Sequence, residues 1–284
     1  AGCPFLSGLF ATDDDGMLET QADWLPLRYI LMTNDPSDVA IVILAAGLGT
    51  RMKSDKAKVL HDILGRPMIS YVVDTARAVA GNNLVLVIGH QAEVVKKTVA
   101  DQADVHFAYQ EEQLGTGHAV MRAIPALSDR ARQVVVLCGD VPLLRRETLQ
   151  RFLDDHLNQD RTLSVLAVEL DDPTGYGRIV SDRDGNVKGI VEEADATARQ
   201  KAINLVNTGI YCVDRAFLES ALRKIQPNNA QGEYYLTDIV GVAHRECVRI
   251  GVTIGGNPDE FMGVNSQAHL EAVERMLRQA SDMN

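Results

Sequence analysis

A buried strand followed by a glycine-rich, cationic loop constrains this sequence more than any other feature. Residues 40 to 46 are apolar and rich in β-branched side chains, and the run ends at Gly47. Such a run is typical of a strand covered on both faces of a parallel sheet. Gly47 and Gly49 lack Cβ atoms, which lets backbone N–H groups approach an anion closely. The same loop carries Arg51, Lys53, Lys56 and Lys58. This combination indicates a ligand that bears phosphate.

Two familiar glycine motifs do not fit this loop. A dinucleotide-binding fingerprint requires a third glycine where Met52 stands and an acidic residue about 20 positions later at a strand end. The nearest acid, Asp74, falls inside a predicted helix. A P-loop requires a Gly-Lys-Ser/Thr ending, which does not occur here. The remaining pattern is LAAGLGTRM followed by Lys-Ala-Lys-Val-Leu at residues 56 to 60.

This pattern resembles the signature of the sugar-phosphate nucleotidyltransferases. In that family the glycine loop wraps the phosphates of the nucleotide, and an arginine and a lysine neutralise charge on the reacting phosphates. The resemblance implies that Arg51 and Lys58 are the catalytic cations. It also implies nucleotide contacts by Leu44, Ala45, Ala46 and Gly47.

Composition limits the classes of partner. The formal net charge of the 284 residues is −11, which argues against a general nucleic-acid or anionic-membrane surface. No apolar run is long enough to span a bilayer. The four cysteines are widely spaced, with no CxxC pair and no histidines at metal-ligand spacing. We therefore expect a cytoplasmic protein with small-molecule substrates, no nucleic-acid partner and no membrane partner.

Two regions differ in their relation to the family. Residues 1 to 37 contain three consecutive aspartates and the single tryptophan, Trp24, and are predicted to be an N-terminal extension of unknown role. The resemblance begins near Val39, so residues 38 to 284 are predicted to form the nucleotidyltransferase, or pyrophosphorylase, domain. Family members commonly carry a C-terminal left-handed β-helix that acetylates glucosamine 1-phosphate and drives trimer formation. No hexapeptide repeat occurs here, so we expect no β-helix and no acetyl transfer, and an oligomer remains possible.

Short apolar segments alternate with amphipathic helical segments along most of the chain. Strands are predicted near residues 84–88, 105–108, 133–138 and 163–170, and helices at 68–79, 89–100, 147–157 and 267–280. This order predicts an α/β fold with a Rossmann-like, doubly wound, mostly parallel sheet. Asp184-Gly185 predicts a hairpin in a smaller antiparallel subregion on the acceptor side. Ligands in such folds bind beyond the carboxyl ends of the strands.

The segment from Gln110 to His118, QEEQLGTGH, follows a predicted strand and leads into a helix. Backbone N–H groups there can face a ligand at the positive end of the helix. The segment resembles the uracil-recognition segment of the bacterial N-acetylglucosamine-1-phosphate uridylyltransferases. The resemblance implies base contacts by Gln110, Gly115 and Thr116. Without that context, an ordinary glycine-rich helix entry would explain the same residues.

A buried strand ends at Cys138-Gly139-Asp140. A carboxylate there suits Mg²⁺, which prefers hard oxygen ligands, although an isolated aspartate is more often a cap or turn residue. The resemblance implies that Asp140 and Asn265 are the protein ligands of magnesium. Two departures stand out: the family often has a tyrosine where Cys138 stands, and it often has a basic residue near Ala194.

The resemblance also locates a sugar pocket. Gly177, Glu192 and Asn207 match family positions that bind the amino sugar, and carboxylate and amide groups are suitable partners for its hydroxyls. The stretch NNAQGEYYLTD at residues 228 to 238 closely resembles the uridylyltransferase family. This resemblance implies sugar contacts by Glu233, Tyr234 and Thr237.

The implied reaction joins UTP and N-acetylglucosamine 1-phosphate to give UDP-N-acetylglucosamine, a peptidoglycan precursor, and pyrophosphate, with Mg²⁺ as cofactor. Two alternatives remain. Another sugar-1-phosphate nucleotidyltransferase would keep the signature loop and Asp140 but accept a different nucleotide or sugar. A non-catalytic nucleotide-sugar sensor would bind UDP-N-acetylglucosamine without releasing pyrophosphate.

Overall fold

A computed structural model of the chain describes residues 38–52, 54–100 and 102–282. The described residues belong to one compact unit. The predicted N-terminal extension, residues 1 to 37, lies outside them. No helix in this described part has the length and apolar character needed to cross a bilayer.

Strands and helices alternate through the first half of the chain, and short strands cluster in the second. The strands are β1 Val39–Leu44, β2 Asp62–Ile63, β3 Arg66–Pro67, β4 Leu84–Ile88, β5 His106–Tyr109, β6 Gln133–Cys138, β7 Leu163–Glu169, β8 Arg178–Ser181, β9 Val187–Val191, β10 Leu205–Asp214 and β11 Ile250–Ile254. The helices are α1 Met68–Ala80, α2 Ala92–Ala100, α3 Thr116–Ala123, α4 Arg146–Asn158, α5 Ala198–Lys201, α6 Arg215–Leu222, α7 Asp238–Arg245 and α8 Gln267–Asp282.

The main sheet has the strand order β11-β7-β10-β6-β1-β4-β5. Strand β1 pairs in parallel with β4 on one side and with β6 on the other. The chain therefore moves outward through β4 and β5 and then returns to the opposite side of β1. This reversal creates a crevice at the carboxyl ends of β1 and β6, where α/β folds of this type bind ligands.

Helices cover both faces of the sheet. Helices α1, α2 and α4 pack on the face that receives Ile41 and Ile43 of β1. Helices α3, α6 and α7 pack on the face that receives Ala40 and Val42. A strand covered on both faces needs apolar residues at every position, which explains the uninterrupted apolar run of β1.

Helix α8 and the small sheet form a separate apolar cluster. Strands β2 and β3 pair antiparallel, and Ile63 of β2 packs with Val264, Leu270 and Val273. The loop before α8 is thereby held beside the loop that follows β1.

The predicted α/β class and the doubly wound, mostly parallel sheet are confirmed. Strand β10, which runs antiparallel between β6 and β7, was not predicted from the sequence. Helices α6 and α7 were not predicted either. The predicted hairpin is present as β8 and β9, and β8 pairs with β10 at the edge of the crevice. This hairpin forms the predicted antiparallel subregion.

Candidate active site

The loop after β1 begins at the centre of the sheet. The Ala45 N–H donates to the Val87 carbonyl, and the Gly139 N–H donates to the Leu44 carbonyl, both at 2.9 Å. Ala45 and Ala46 are buried, whereas Gly47 is exposed. The predicted nucleotide segment therefore leaves the core at Gly47.

Gly49 brings the loop back onto Lys58. Its φ is +63°, and a Cβ atom added there would lie only 2.6 Å from Lys58 Cβ. A side chain at this position would meet both backbone strain and a steric clash. Glycine thus lets the loop close tightly over the base of the Lys58 side chain.

Four side chains from three loops meet at the carboxyl ends of β1 and β6. The Lys58 ammonium forms an ion pair with Asp140 and donates to Asn265 Oδ1 at 3.1 Å. The Arg51 guanidinium donates to the same Asn265 oxygen at 3.2 Å. The structure therefore brings together the predicted cations and the predicted metal ligands, which lie far apart in sequence.

Backbone contacts fix the two predicted metal ligands relative to each other. The Val264 N–H donates to the Asp140 carbonyl at 2.9 Å, and Asn265 Nδ2 donates to the Gly263 carbonyl at 3.3 Å. A Cβ on Gly263 would lie 3.2 Å from Asn265 Nδ2. The close approach of these loops therefore favours glycine at position 263.

The donor set fits a magnesium ion whose remaining ligands are phosphate and water. The oxygens of Asp140 and Asn265 contact one ammonium group, so they lie close enough together to share one cation. Both are hard oxygen donors of the kind that Mg²⁺ prefers. No group of three or more His, Cys, Asp or Glu side chains able to hold a metal occurs among the residues described. A site with few protein ligands is typical of magnesium bound with nucleotide phosphates.

The predicted base segment lies beside the glycine loop. Gln110 follows β5 and is 4% exposed. Its Nε2 donates to the Gly115 carbonyl at 3.0 Å and lies 3.1 Å from His118 Nδ1. These contacts orient the Gln110 amide, so His118 is a supporting residue to which sequence reasoning gave no role.

The base segment is joined directly to the predicted sugar segment. The Tyr234 carbonyl accepts from Gly117 N–H at 2.7 Å, and Tyr234 N–H donates to the Leu114 carbonyl at 2.8 Å. Thr116 Oγ1 accepts from Leu236 N–H at 3.0 Å. Gly115 has a φ of +105°, and a Cβ there would lie 2.6 Å from the Tyr234 carbonyl. Hydrogen bonds of Thr116 and Tyr234, and the close packing of Gly115 against Tyr234, thus join the two segments.

The predicted sugar residues gather at the hairpin of β8 and β9. The Thr237 hydroxyl donates to Glu192 Oε1 at 3.1 Å, and a Cβ on Gly177 would lie 3.2 Å from Glu192 Oε2. Burial raises the pKa of Glu192, while the Thr237 hydrogen bond opposes that rise. Glu233 anchors the adjoining turn, because its backbone carbonyl accepts from Asn229 Nδ2 at 2.5 Å.

Asn207 lies on β10 and is positioned by a tyrosine that sequence reasoning missed. Asn207 Nδ2 donates to the Tyr211 hydroxyl at 2.7 Å, and Asn207 Oδ1 accepts from Gly209 N–H at 3.0 Å. The pairing of β10 with β7 shifts register between Asn207 and Ile210. A glycine inside a run rich in β-branched residues is a known signal of such a bulge.

Cys138 lies near Asp140 of the predicted metal site and near Glu192 of the predicted sugar pocket. A Cβ on Gly209 would lie 2.8 Å from Cys138 Sγ, so the small glycine makes room for the thiol. Burial, aided by the negative charge of Asp140, raises the pKa of Cys138 to about 12. The thiol is therefore neutral at physiological pH and unsuited to act as a nucleophile.

A buried arginine supports the sugar side and was also missed. Arg178 is 1% exposed, and its Nη2 forms an ion pair with Glu193 Oε2 at 2.7 Å. Glu193 also pairs with Lys201 at 3.1 Å. The pairing lowers the pKa of Glu193, chiefly through Lys201 and then Arg178. Alternation along β8 gives no signal for Arg178, because Arg178 and its neighbour Ile179 are both buried.

Comparison with known families places these residues in context. The nucleotidyl transferase family matches residues 40–248 of the chain. That range includes β1, the glycine loop, the base segment, Asp140 and the sugar segment.

Three curated relatives share the name Bifunctional protein GlmU. The chain is 49% identical to that of Geobacter metallireducens over 242 residues, which are 85% of this chain and 51% of the relative. It is 48% identical to that of Geotalea daltonii over 243 residues, 84% of this chain and 52% of the relative. For Desulfotalea psychrophila the identity is 45% over 240 residues, 84% of this chain and 70% of the relative. The chain thus spans about half the length of the first two.

Proposed function

The chain belongs to the nucleotidyl transferase family, and on that premise we propose that it is a magnesium-dependent uridylyltransferase. It would form UDP-N-acetylglucosamine and pyrophosphate from UTP and N-acetylglucosamine 1-phosphate. The nucleotidyl transferase family and the similarity to the named relatives support sugar-phosphate nucleotidyltransferase activity. We propose a cytoplasmic location, where both substrates would be available.

The observation that carries the proposal is the meeting of Arg51, Lys58, Asp140 and Asn265 at the crevice. Two cations and two oxygen ligands at one point are suited to a reaction between highly charged phosphates. Neither the Arg51 nor the Lys58 side chain is fully buried, so each cation can exchange its present hydrogen-bond partner for a phosphate oxygen. A binding protein without turnover would have little need for this concentration of charge.

In the proposed reaction, an oxygen of the sugar phosphate attacks the α-phosphorus of UTP. A new bond forms between that oxygen and the α-phosphorus, and the bond from the α-phosphorus to the bridging oxygen breaks. Pyrophosphate leaves with the electron pair of the broken bond. Because the attacking phosphate is already ionised, neither a protein nucleophile nor a general base is required.

Arg51 and Lys58 would stabilise the negative charge that develops on the transferring phosphate and the leaving pyrophosphate. Asp140 and Asn265 would hold Mg²⁺, which supplies further positive charge to the phosphate oxygens when bound. The chemistry of these residues and the direct contacts among them support the proposed roles.

We assign the base and the sugar to two different sets of residues near this charged centre. Gln110, Gly115 and Thr116 would contact uracil, together with the loop from Leu44 to Gly47 that wraps the phosphates. The amino sugar would contact Gly177, Glu192, Asn207, Tyr234 and Thr237. The partly buried Glu192 carboxylate is suited to accept hydrogen bonds from sugar hydroxyls.

The deciding experiment is pyrophosphate release by the purified chain. The assay contains UTP, N-acetylglucosamine 1-phosphate and Mg²⁺, with controls that omit each one in turn. Release that requires all three supports the proposal. A panel of other nucleoside triphosphates and sugar 1-phosphates accompanies the assay.

Each other outcome rejects the proposal in a defined way. Release only with a different triphosphate or sugar identifies another sugar-1-phosphate nucleotidyltransferase. Binding of UDP-N-acetylglucosamine by calorimetry, without release from any pair, identifies a nucleotide-sugar sensor.

A further inference from the structure

One side chain from the turn after β4 reaches across to the cationic loop. Gln91 Oε1 accepts a hydrogen bond from the Ala57 N–H at 2.9 Å, and Gln91 Nε2 donates to the Asp55 carbonyl at 2.6 Å. The Gln91 amide therefore forms hydrogen bonds to the backbone on both sides of Lys56. Ala57 is 2% exposed, so its N–H needs a partner within the protein.

The backbone of Gln91 is itself fixed against the sheet. The neighbouring His90 N–H donates to the Ala46 carbonyl at 3.3 Å. A Cβ on Gly89 would lie 2.9 Å from that Ala46 oxygen and 2.8 Å from the Gln110 carbonyl oxygen. The turn thus packs closely between the loops that follow β1 and β5. It provides a rigid base for the Gln91 side chain.

The conformation of Gln91 is unusual for its residue type. Its φ is +52°, in the left-handed region that non-glycine residues seldom adopt. Such conformations persist where the surrounding structure holds them, and they cluster at functional sites. Here the conformation directs a long amide side chain at the loop.

We propose that Gln91 is a positioning residue for Lys58, and this proposal rests on the uridylyltransferase function proposed above. Ala57 directly precedes Lys58, so the hydrogen bond to Ala57 fixes the point from which Lys58 extends toward Asp140 and Asn265. Gln91 acts on the loop backbone rather than on a substrate. Since preorganised charge depends on accurate placement, loss of the Gln91 hydrogen bonds lowers turnover.

Because Gln91 has a positive φ, its side chain can be removed without adding backbone strain. Gln91→Gly removes the side chain and at the same time relieves the backbone, because glycine adopts this region readily. Gln91→Asn keeps an amide that tolerates the left-handed region but is one methylene too short to reach both groups. Asp160→Gly is the matched control, since Asp160 has a φ of +47° and an exposed side chain after α4.

Activity is the first measurement. Gln91→Gly and Gln91→Asn are expected to lower kcat about tenfold while the KM for UTP changes less than about threefold. Asp160→Gly leaves both constants unchanged. Thermal unfolding of all three variants shows whether the fold is intact.

The second measurement does not depend on turnover. The exchange rate of the Ala57 amide hydrogen, followed by NMR, is expected to rise at least about tenfold in Gln91→Gly. The Asp160→Gly protein retains the wild-type rate. Faster Ala57 exchange together with reduced kcat supports the proposal.

Two results overturn it, and a third concerns the function alone. Unchanged Ala57 exchange shows that Gln91 does not hold the loop. Faster exchange with unchanged kcat shows that the Gln91 hydrogen bonds stabilise the loop but do not position Lys58. If the wild-type chain releases no pyrophosphate, the proposed function fails and the positioning role falls with it, whereas the exchange rate still decides whether Gln91 holds the loop.

Discussion

The Lys58 ammonium lies 3.1 Å from Asn265 Oδ1, although 207 residues separate the two in the chain. The contact joins the loop after β1 to the loop before α8. Asp140, which follows β6, contacts the same ammonium. A cation held by oxygen ligands in this way is placed before any substrate arrives, so little reorganisation is needed when charge develops in the transition state.

Replacement of this lysine tests its role most directly. Lys58→Ala is expected to lower kcat about 10²- to 10³-fold, the range for loss of one preorganised charge-stabilising group. The affinity for UTP, measured by calorimetry, is expected to fall much less. The reason is that Lys58 stabilises charge that appears in the transition state.

Lys56→Ala is the matched comparison for that experiment. Lys56 lies in the same loop, but its ammonium pairs with Asp62 at 3.0 Å on the exposed surface, and such pairs contribute little. We expect a loss of less than about threefold in kcat for this variant. Equal losses of kcat and UTP affinity in Lys58→Ala would refute a transition-state role.

Replacement of Asn265 tests the proposed magnesium site separately. Asn265→Ala removes one of the two proposed oxygen ligands, so the Mg²⁺ concentration for half-maximal rate is expected to rise about tenfold. Binding of Mn²⁺ in the presence of UTP, followed by electron paramagnetic resonance, is expected to weaken in parallel. Asn186→Ala, in the exposed turn between β8 and β9, serves as the control. An unchanged metal requirement would remove Asn265 from the site.

The parallel half of the fold could be predicted because its sequence is locally unambiguous. The uninterrupted apolar runs of β1, β4 and β6 are typical of strands covered on both faces. Strand β10 was missed because Asn207, Thr208 and Gly209 interrupt its apolar pattern. Those residues lie where the pairing of β10 with β7 shifts register, so the local backbone departs from the regular strand pattern at that point.

The sequence indicated the residues of the candidate site but not the contacts among them. Family motifs located Lys58, Asp140 and Asn265 one at a time. Their shared contact depends on which strands are neighbours, and spacing along the chain carries no such information. The same holds for Gln91, which reads in sequence as an ordinary residue at a helix start, while its partners lie 34 and 36 residues away.

Gly177 offers a steric test of the sugar side. A Cβ at this position would lie 2.9 Å from Ile190 Cγ2 and 3.2 Å from Glu192 Oε2. Gly177→Ala is therefore expected to displace the Glu192 carboxylate and to raise the KM for the sugar phosphate about tenfold. The KM for UTP is expected to stay near its wild-type value.

Gly189→Ala is the control for Gly177→Ala. Gly189 lies in the neighbouring strand β9, and a Cβ there would meet no atom within 4 Å. Steady-state kinetics with each substrate varied in turn separates the two effects. If Gly177→Ala raised both KM values alike, the assignment of this side to the sugar would be wrong.

A buried histidine outside the crevice links stability to pH. His156 of α4 is 1% exposed, with Nδ1 lying 2.8 Å from Ser164 Oγ and Nε2 lying 3.1 Å from Gln133 Oε1. Burial lowers the pKa of His156 to about 4, and the positive charge of Arg161 adds to the effect. Three carboxylates oppose it: Asp214, Asp160 and Asp155.

Since the folded pKa lies below the unfolded value of about 6.5, the unfolded state binds the proton first as the pH falls. The stabilisation is complete above pH 6.5 and is lost between pH 6.5 and 4. From pH 7 to pH 5, the free energy of unfolding is expected to fall by about 2 kcal/mol through His156 alone. Urea unfolding at both pH values measures this loss. The glutamine in His156→Gln does not titrate, so the free energy of unfolding of this variant is expected to fall by about 2 kcal/mol less than that of the wild type. Equal losses in the two proteins would show that His156 is not the responsible group.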